Sequence, residues 1–446
     1  MNVIIFDIDT LRADHLGCYG YYHNTSPNID RLASEGVLVE QMLCPGIPTH
    51  PGHTTIYTGM HPIAHGIVSH GGEKDLDRDL PWLPSLLQRA GFTTCAVDNL
   101  FDEKHWFARG YEFYINPGSR RRLGLLVTAE EVNRRAVPWL REHFSEPFFL
   151  LIHYWDPHTP YVPPERFRGM FYRGGNPIDP SNQSLATLDS QPLGPFWREN
   201  WLDKLMPGLT DIEYVVALYD AEIRYVDEAV GEVLDAVENC GIADDTLVIV
   251  TSDHGESLVE HNILFEHHGL YQPCVHVPFV CRWPAGGVSG GRRLKVAADH
   301  RDIAPTVLDA AGAPIPEPIE GRSLLPFLRG EASCGDLSAG RSEPLVLEEC
   351  TWQAKWAILD DGYKLIAARG PDVQGMPPLE LYHLPSDPGE VCNLAYECPN
   401  TALSLLTKLE EWIAQRVARH KLSGDPLVVQ GITLGKRWRE KTLFSG

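Results

Sequence analysis

An α/β fold is predicted for this 446-residue chain: a mostly parallel central sheet flanked by helices, then a small C-terminal α+β subdomain. Short apolar runs alternate with amphipathic stretches through the first three-quarters, the pattern of strands joined to parallel neighbours by crossover helices. Several runs end in chemically loaded residues: Asp7 and Asp9, then His153 to His158, then Asp253-His254. In open α/β sheets ligands sit beyond the carboxyl ends of strands, so these residues share the predicted site.

In chain order, Val3 to Phe6, Thr93 to Val97, Phe148 to His153, Thr246 to Thr251 and Val277 to Arg282 are apolar enough to be buried strands. Asn28 to Glu35 and Leu83 to Ala90 have helical character. Ile223, Val226, Val230, Val233, Leu234 and Val237 fall on one helical stripe within Leu218 to Cys240. Residues 160–210 are rich in Pro, Gly, Ser and Asn and are predicted as an excursion outside the core, with the character of a lid. The catalytic unit is expected to span residues 1–345 and the C-terminal subdomain 346–423, with a tail at 424–446. Within the subdomain, Trp356 to Leu359 and Tyr363 to Ile366 flank Asp360-Asp361-Gly362 as a hairpin, and Ala402 to Arg419 is a closing helix.

A net charge of −22 excludes nucleic acid or an anionic membrane as the main partner. An anionic substrate would need local positive charge, most simply from metal ions. No apolar run approaches the roughly 18 residues that span a bilayer. Met1-Asn2 leads directly into the first strand without a signal-peptide pattern, so a cytoplasmic protein is expected. The ten cysteines, Cys334 among them, include no CxxC pair and are expected to be reduced thiols. A homo-oligomer is compatible with all of this.

The most informative segment is Thr49-His50-Pro51-Gly52-His53-Thr54-Thr55-Ile56-Tyr57-Thr58-Gly59, followed by Pro62 and His65-Gly66. It places a hydroxyl where a helix is expected to begin after Pro51. A helix N-terminus stabilises an attacking oxyanion and phosphoryl oxygens. The competing reading is that Thr49 only caps the helix. Asp9 and Asp253-His254 each follow a buried strand, where a carboxylate must be paired or bound to a cation. An imidazole in the set moves the preference from calcium toward zinc or manganese. Asp7, two residues before Asp9, is expected to be scaffold.

These segments resemble the alkaline phosphatase and sulfatase superfamily, in that family's order. Asp9 to Gly20 is similar to its opening metal segment, Asp156-Pro157-His158-Thr159-Pro160-Tyr161 to its mid-chain histidine motif, Tyr219 to Gly231 to its scaffold helix, and Thr251 to Glu256 to its second metal segment. Glu320-Gly321-Arg322 and Asp387-Pro388-Gly389-Glu390 resemble later landmarks. Counting back ten from Gly59 lands on Thr49, the position of the sulfatase nucleophile. Sulfatases make a formylglycine there from Cys or Ser, and threonine cannot be converted. The Arg expected four residues on is His53. The motif is closer to the nucleotide pyrophosphatase/phosphodiesterase branch, which has Thr as nucleophile and His in that place.

The resemblance therefore implies a metal-dependent hydrolase of phosphate esters, a phosphodiesterase or phosphonate monoester hydrolase, working on a small anionic ester through a phosphothreonine intermediate. One or two divalent ions are implied, with zinc or manganese favoured and calcium possible. Asp9, Thr49, Asp253 and His254 would hold the first, and Asp156 and His268 would help to hold a second. His53 and His158 are the further catalytic candidates. His158 would either protonate the leaving oxygen or contact the substrate, or join the second metal. Two sulfate-gripping lysines of sulfatases are replaced here by the segments containing Asn99 and His267, which become candidates for binding substrate oxygens. The alternatives are a sulfatase working without formylglycine and a catalytically silent binding protein on the same fold.

Overall fold

The computed structural model describes residues 1–118, 124–332 and 343–436. Cys334 and the last ten residues of the expected tail lie outside the described residues. The larger sheet contains β1 (Asn2–Ile8), β2 (Val37–Leu43), β4 (Thr93–Val97), β5 (Phe113–Ile115), β6 (Phe148–Tyr154), β7 (Thr246–Thr251), β8 (His276–Val277), β9 (Val280–Arg282) and β10 (Arg292–Asp299). Its order is β10-β2-β9-β7-β1-β6-β4-β5, with β8 paired to β2. Only β8 and β9 run against the rest. The predicted single strand Val277 to Arg282 is thus two short strands, interrupted at Pro278-Phe279.

β1 lies at the centre, parallel to β6 and β7. Val3, Ile4, Ile5, Phe6 and Ile8 are fully buried, which explains a continuous apolar run in place of alternation. Each such side chain contributes about 1.5–3 kcal/mol by leaving water. The register aligns Asp7 with His153 on β6 and with Thr251 on β7. The loaded residues therefore meet at one end of three adjacent strands.

The long helix is Ile212–Asn239, beginning six residues before the predicted stretch because Asp211 Oδ1 accepts from Glu213 N at 3.0 Å as its N-cap. It packs against the helices Pro27–Glu35 and Ala129–His143. Gly231 permits the closest approach, since a Cβ there would stand 2.7 Å from the Asn28 side chain. Asp227 accepts from the first backbone N–H groups of Pro27–Glu35, at 3.1 Å from Asn28 and 2.9 Å from Ile29. A second group of helices, Thr49–Thr58, Leu83–Arg89 and Ile303–Ala310, packs together.

Residues 160–210 contain no strand and are largely exposed or half-buried, yet a few side chains anchor them to the core. They contain short helical turns at Ser184–Ser190, Gly194–Trp197 and Arg198–Leu202, and Leu185, Leu188, Trp201 and Leu202 are core residues. Polar composition concealed a few large anchors, among them Trp201, whose Nε1 donates to Tyr161 O at 3.1 Å.

The smaller sheet orders β14 (Leu379–His383), β13 (Tyr363–Ala368), β12 (Lys355–Asp360), β11 (Leu345–Glu349) and β3 (Gly46–Ile47). The predicted hairpin is β12–β13, and the closing helix is Pro399–Arg419, whose Leu405, Leu409, Trp412 and Ile413 belong to a second core cluster. β3 comes from the other end of the chain and pairs parallel with β11. It ends two residues before Thr49. Among the described residues, no helix is long and apolar enough to cross a membrane.

Candidate active site

Thr49 is the first residue of a ten-residue helix whose N-cap is Pro48. The helix starts three residues earlier than the sequence suggested. No side chain caps it, so the capping reading of Thr49 fails. Thr49 Oγ1 instead lies 3.4 Å from His254 Nε2. Gly52 allows the helix to approach the end of β7: a Cβ there would stand 2.6 Å from Asp253 O.

Asp9, Asp253 and His254 converge beside Thr49, with one ligating atom from each lying within 4.8 Å of the others. His254 Nε2 is 3.3 Å from Asp253 Oδ2 and 3.8 Å from Asp9 Oδ1. His254 Nδ1 faces its neighbour's carbonyl, Gly255 O, at 2.9 Å, which leaves Nε2 as the free lone pair pointing inward. Both carboxylate oxygens of Asp9, and Asp253 Oδ2, are buried without a hydrogen-bond donor. Buried carboxylates lacking donors are costly unless a cation sits among them. The donor set fits a divalent ion, and its imidazole suits zinc or manganese.

His53 stands one turn after Thr49. Its Nδ1 is 2.9 Å from Thr49 O and 3.2 Å from Asp253 Oδ2, and its Nε2 is 3.2 Å from Asp7 Oδ2. Both ring nitrogens thus face acceptors. Burial pulls the imidazole down, but the carboxylates of Asp7 and Asp253 outweigh it and hold His53 at about 9. The two carboxylates thus favour the imidazolium form of His53. Burial pushes Asp7 up to about 6 against the pull of His53. Asp7 is the partner of that cation, as the scaffold reading requires.

His153, one of the loaded strand-end residues expected at the site but given no role there, faces two carboxylates. Its Nδ1 lies 2.9 Å from Asp98 Oδ1 and its Nε2 3.6 Å from Asp9 Oδ2, and these carboxylates raise its pKa in spite of burial. It lies at the end of β6, where pairing with β1 brings it beside Asp7.

Asp156 and His268 do not join the ligand cluster. Asp156 Oδ2 accepts from Ala129 N at 2.7 Å, drawn to the N-terminus of the helix Ala129–His143. His268 Nε2 meets Gln374 Nε2 at 2.8 Å. The expected second metal site is not assembled from them. His158 and His267 do come near: the His267 ring is 4.9 Å from that of His254, and the His158 ring is 4.8 Å from that of His267. His267 Nδ1 is 3.4 Å from Glu256 Oε2, which outweighs the effect of burial and holds it at about 9. Asn99 is buried beside the site, but its Oδ1 accepts from Trp155 Nε1 at 2.6 Å, leaving only its amide N–H groups for a substrate oxygen.

The sulfatase family model matches residues 1–313, and the C-terminal model of N-sulphoglucosamine sulphohydrolase matches residues 260–418. The chain belongs to the sulfatase family. This sulfatase-family chain is 25% identical over 438 residues to the delta 4,5-hexuronate-2-O-sulfatase of Bacteroides thetaiotaomicron, covering 88% of this chain and 84% of that protein. It is 24% identical to the multifunctional alkaline phosphatase superfamily protein PehA of Trinickia caryophylli, covering 90% and 92%. Its fold superposes on the phosphonate monoester hydrolase of Agrobacterium radiobacter with a TM-score of 0.72 at 23% identity, covering 93% of this chain and 96% of that one. It is an enzyme of that family, whose members bind a divalent metal.

Proposed function

We propose that this sulfatase-family enzyme hydrolyses phosphate or phosphonate esters with Thr49 as nucleophile. The observation that carries the reading is the placement of Thr49: first in its helix, free of any capping role, and 3.4 Å from His254 Nε2 beside Asp9 and Asp253. A divalent ion held by Asp9, Asp253 and His254 would act as a Lewis acid on the Thr49 hydroxyl and neutralise the ester oxyanions. The donor set favours zinc or manganese.

The chain's own groups supply the rest. The helix N-terminus and the His53 cation favour loss of the Thr49 proton. Thr49 Oγ releases its proton to solvent water and attacks phosphorus in line, the bond to the leaving oxygen breaks, and phosphothreonine forms. The leaving oxygen takes a proton from the His158–His267 side. Water then cleaves phosphothreonine and returns the hydroxyl.

A second reading is a sulfatase that works without formylglycine, favoured by the family match and the sulfatase relatives. The test compares bis(4-nitrophenyl) phosphate, 4-nitrophenyl phenylphosphonate and 4-nitrophenyl sulfate on one metal-loaded preparation. Acid quenching then tests for a phosphoryl group on the Thr49 peptide. Faster sulfate turnover with no phosphopeptide would reject the phosphate reading. A cytoplasmic location belongs to the same proposal, supported by nine free cysteines among the described residues, five of them buried.

A further inference from the structure

Beyond His158 lies a cavity of about 430 Å³ with an acidic floor. Asp156, just after β6, and Glu222, on the helix Ile212–Asn239, both line it. One oxygen of each is occupied: Asp156 Oδ2 by Ala129 N, and Glu222 Oε1 by Val162 N at 2.6 Å. Glu222 is only 3% exposed, yet its Oε2 has no partner among the described residues. Two carboxyls on one cavity wall, one of them with a buried and unpartnered oxygen, call for a proton or a cation. Neither belongs to a cluster of three ligating side chains among the described residues, so a protein-made metal cage is not the answer.

The walls narrow the choice. Val162, Leu205 and the Trp201 ring line the cavity, and Trp201 is held by its bond to Tyr161 O. An apolar wall with an indole face and a buried acid recognises an organic ammonium. Arg168 and Lys204 stand at the same cavity and are exposed. They disfavour a simple cation and favour a ligand carrying negative charge beyond its ammonium, as a phosphate ester does. The cavity also connects to the chemistry. His158 lines it, and the ring contacts from His158 through His267 to His254 lead back to Thr49.

We propose that this cavity is the leaving-group subsite and that it selects esters whose leaving alcohol carries an ammonium group, seated between Asp156 and Glu222. The proposal rests on the reading of Thr49 as nucleophile, so binding and turnover are tested separately.

Calorimetry on the Thr49→Ala protein compares hexylammonium chloride with 1-hexanol. The ammonium should bind about tenfold more tightly or better, the scale of a hydrogen-bonded charge. Glu222→Gln, and independently Asp156→Asn, should remove that preference, with melting curves checking that each variant folds. Equal binding of the two probes, or a preference that survives both substitutions, means that the carboxyls only share a proton and overturns the proposal. In turnover, ω-aminoalkyl phosphates from aminoethyl to aminohexyl are compared with the matching alkyl phosphates. The kcat/KM ratio should reach about tenfold at one chain length and collapse toward unity in Glu222→Gln. A ratio near unity in the unmodified enzyme overturns the leaving-group role. Hydrolysis persisting in Thr49→Ala would instead sink the nucleophile reading and leave the binding result standing.

Discussion

Thr49 Oγ1 and His254 Nε2 stand 3.4 Å apart although 205 positions separate them in the chain. The contact joins the start of a helix to the end of a central strand, and it places a hydroxyl beside the buried carboxylates Asp9 and Asp253. Removing the hydroxyl should remove chemistry and leave the ligand cluster intact. Thr49→Ala is expected to lower kcat by about 10³-fold or more, with metal content by elemental analysis close to that of the unmodified protein. Thr49→Ser should retain measurable turnover.

The unpartnered oxygens of Asp9 and Asp253 make the metal a stabilising ligand. At about one hundred times its dissociation constant, an ion that binds only the folded state adds about 2.7 kcal/mol. Chelation should therefore lower the melting temperature of the unmodified protein. Asp9→Asn should show little response to the same chelator. An equal drop in both would remove Asp9 from the ligand set.

Gly52 is the point of closest approach between the nucleophile helix and β7. Gly52→Ala would drive a methyl group to 2.6 Å from Asp253 O. Overpacking of this kind costs about 1–3 kcal/mol. Urea denaturation should show the loss of stability, and displacement of Thr49 from His254 should lower kcat more than it raises KM.

Glu103 accepts from His50 Nε2 at 2.7 Å, because His50 Nδ1 takes the N–H of Gly71 at 3.1 Å and so leaves the ring proton on Nε2. Burial pushes the Glu103 carboxyl up, but the His50 hydrogen bond and the charge of His70 outweigh it and bring the group down from 4.5 to about 2. A depressed folded-state pKa stabilises the protein above the unfolded value, and the gain disappears as pH falls through the folded one. Glu103→Gln should therefore be less stable than the unmodified protein at pH 6. The difference should shrink between about pH 4.5 and pH 2. A constant gap across that window would contradict the pairing.

The parts of the fold that could be read from the chain are those whose burial is complete. β4 and β7 fall at their predicted bounds because apolar residues on both faces leave no ambiguity. β2 and β10 were not legible: Glu40-Gln41 interrupts one, and Arg292, Arg293 and Lys295 give the other, at the sheet edge, a polar character. At the site, Thr49, Asp9, Asp253 and His254 follow from local motifs at strand ends. His153 was read as a strand-end residue of the site but given no role, because its partners Asp98 and Asp9 depend on strand pairing that no local pattern encodes. Asp156 misled because the N-terminus of Ala129–His143 competes for its carboxylate, an attraction visible only once the helix is in position.

The two-residue strand Gly46–Ile47 takes its partner from Glu348-Glu349, made about three hundred residues later, and His61 Nε2 likewise donates to Val346 O at 2.9 Å. A growing chain thus emerges with Thr49 long before the strand that pairs beside it. A product cut short ahead of residue 345 would carry Asp9, Asp253 and His254 but lack the strand that pairs two residues before Thr49.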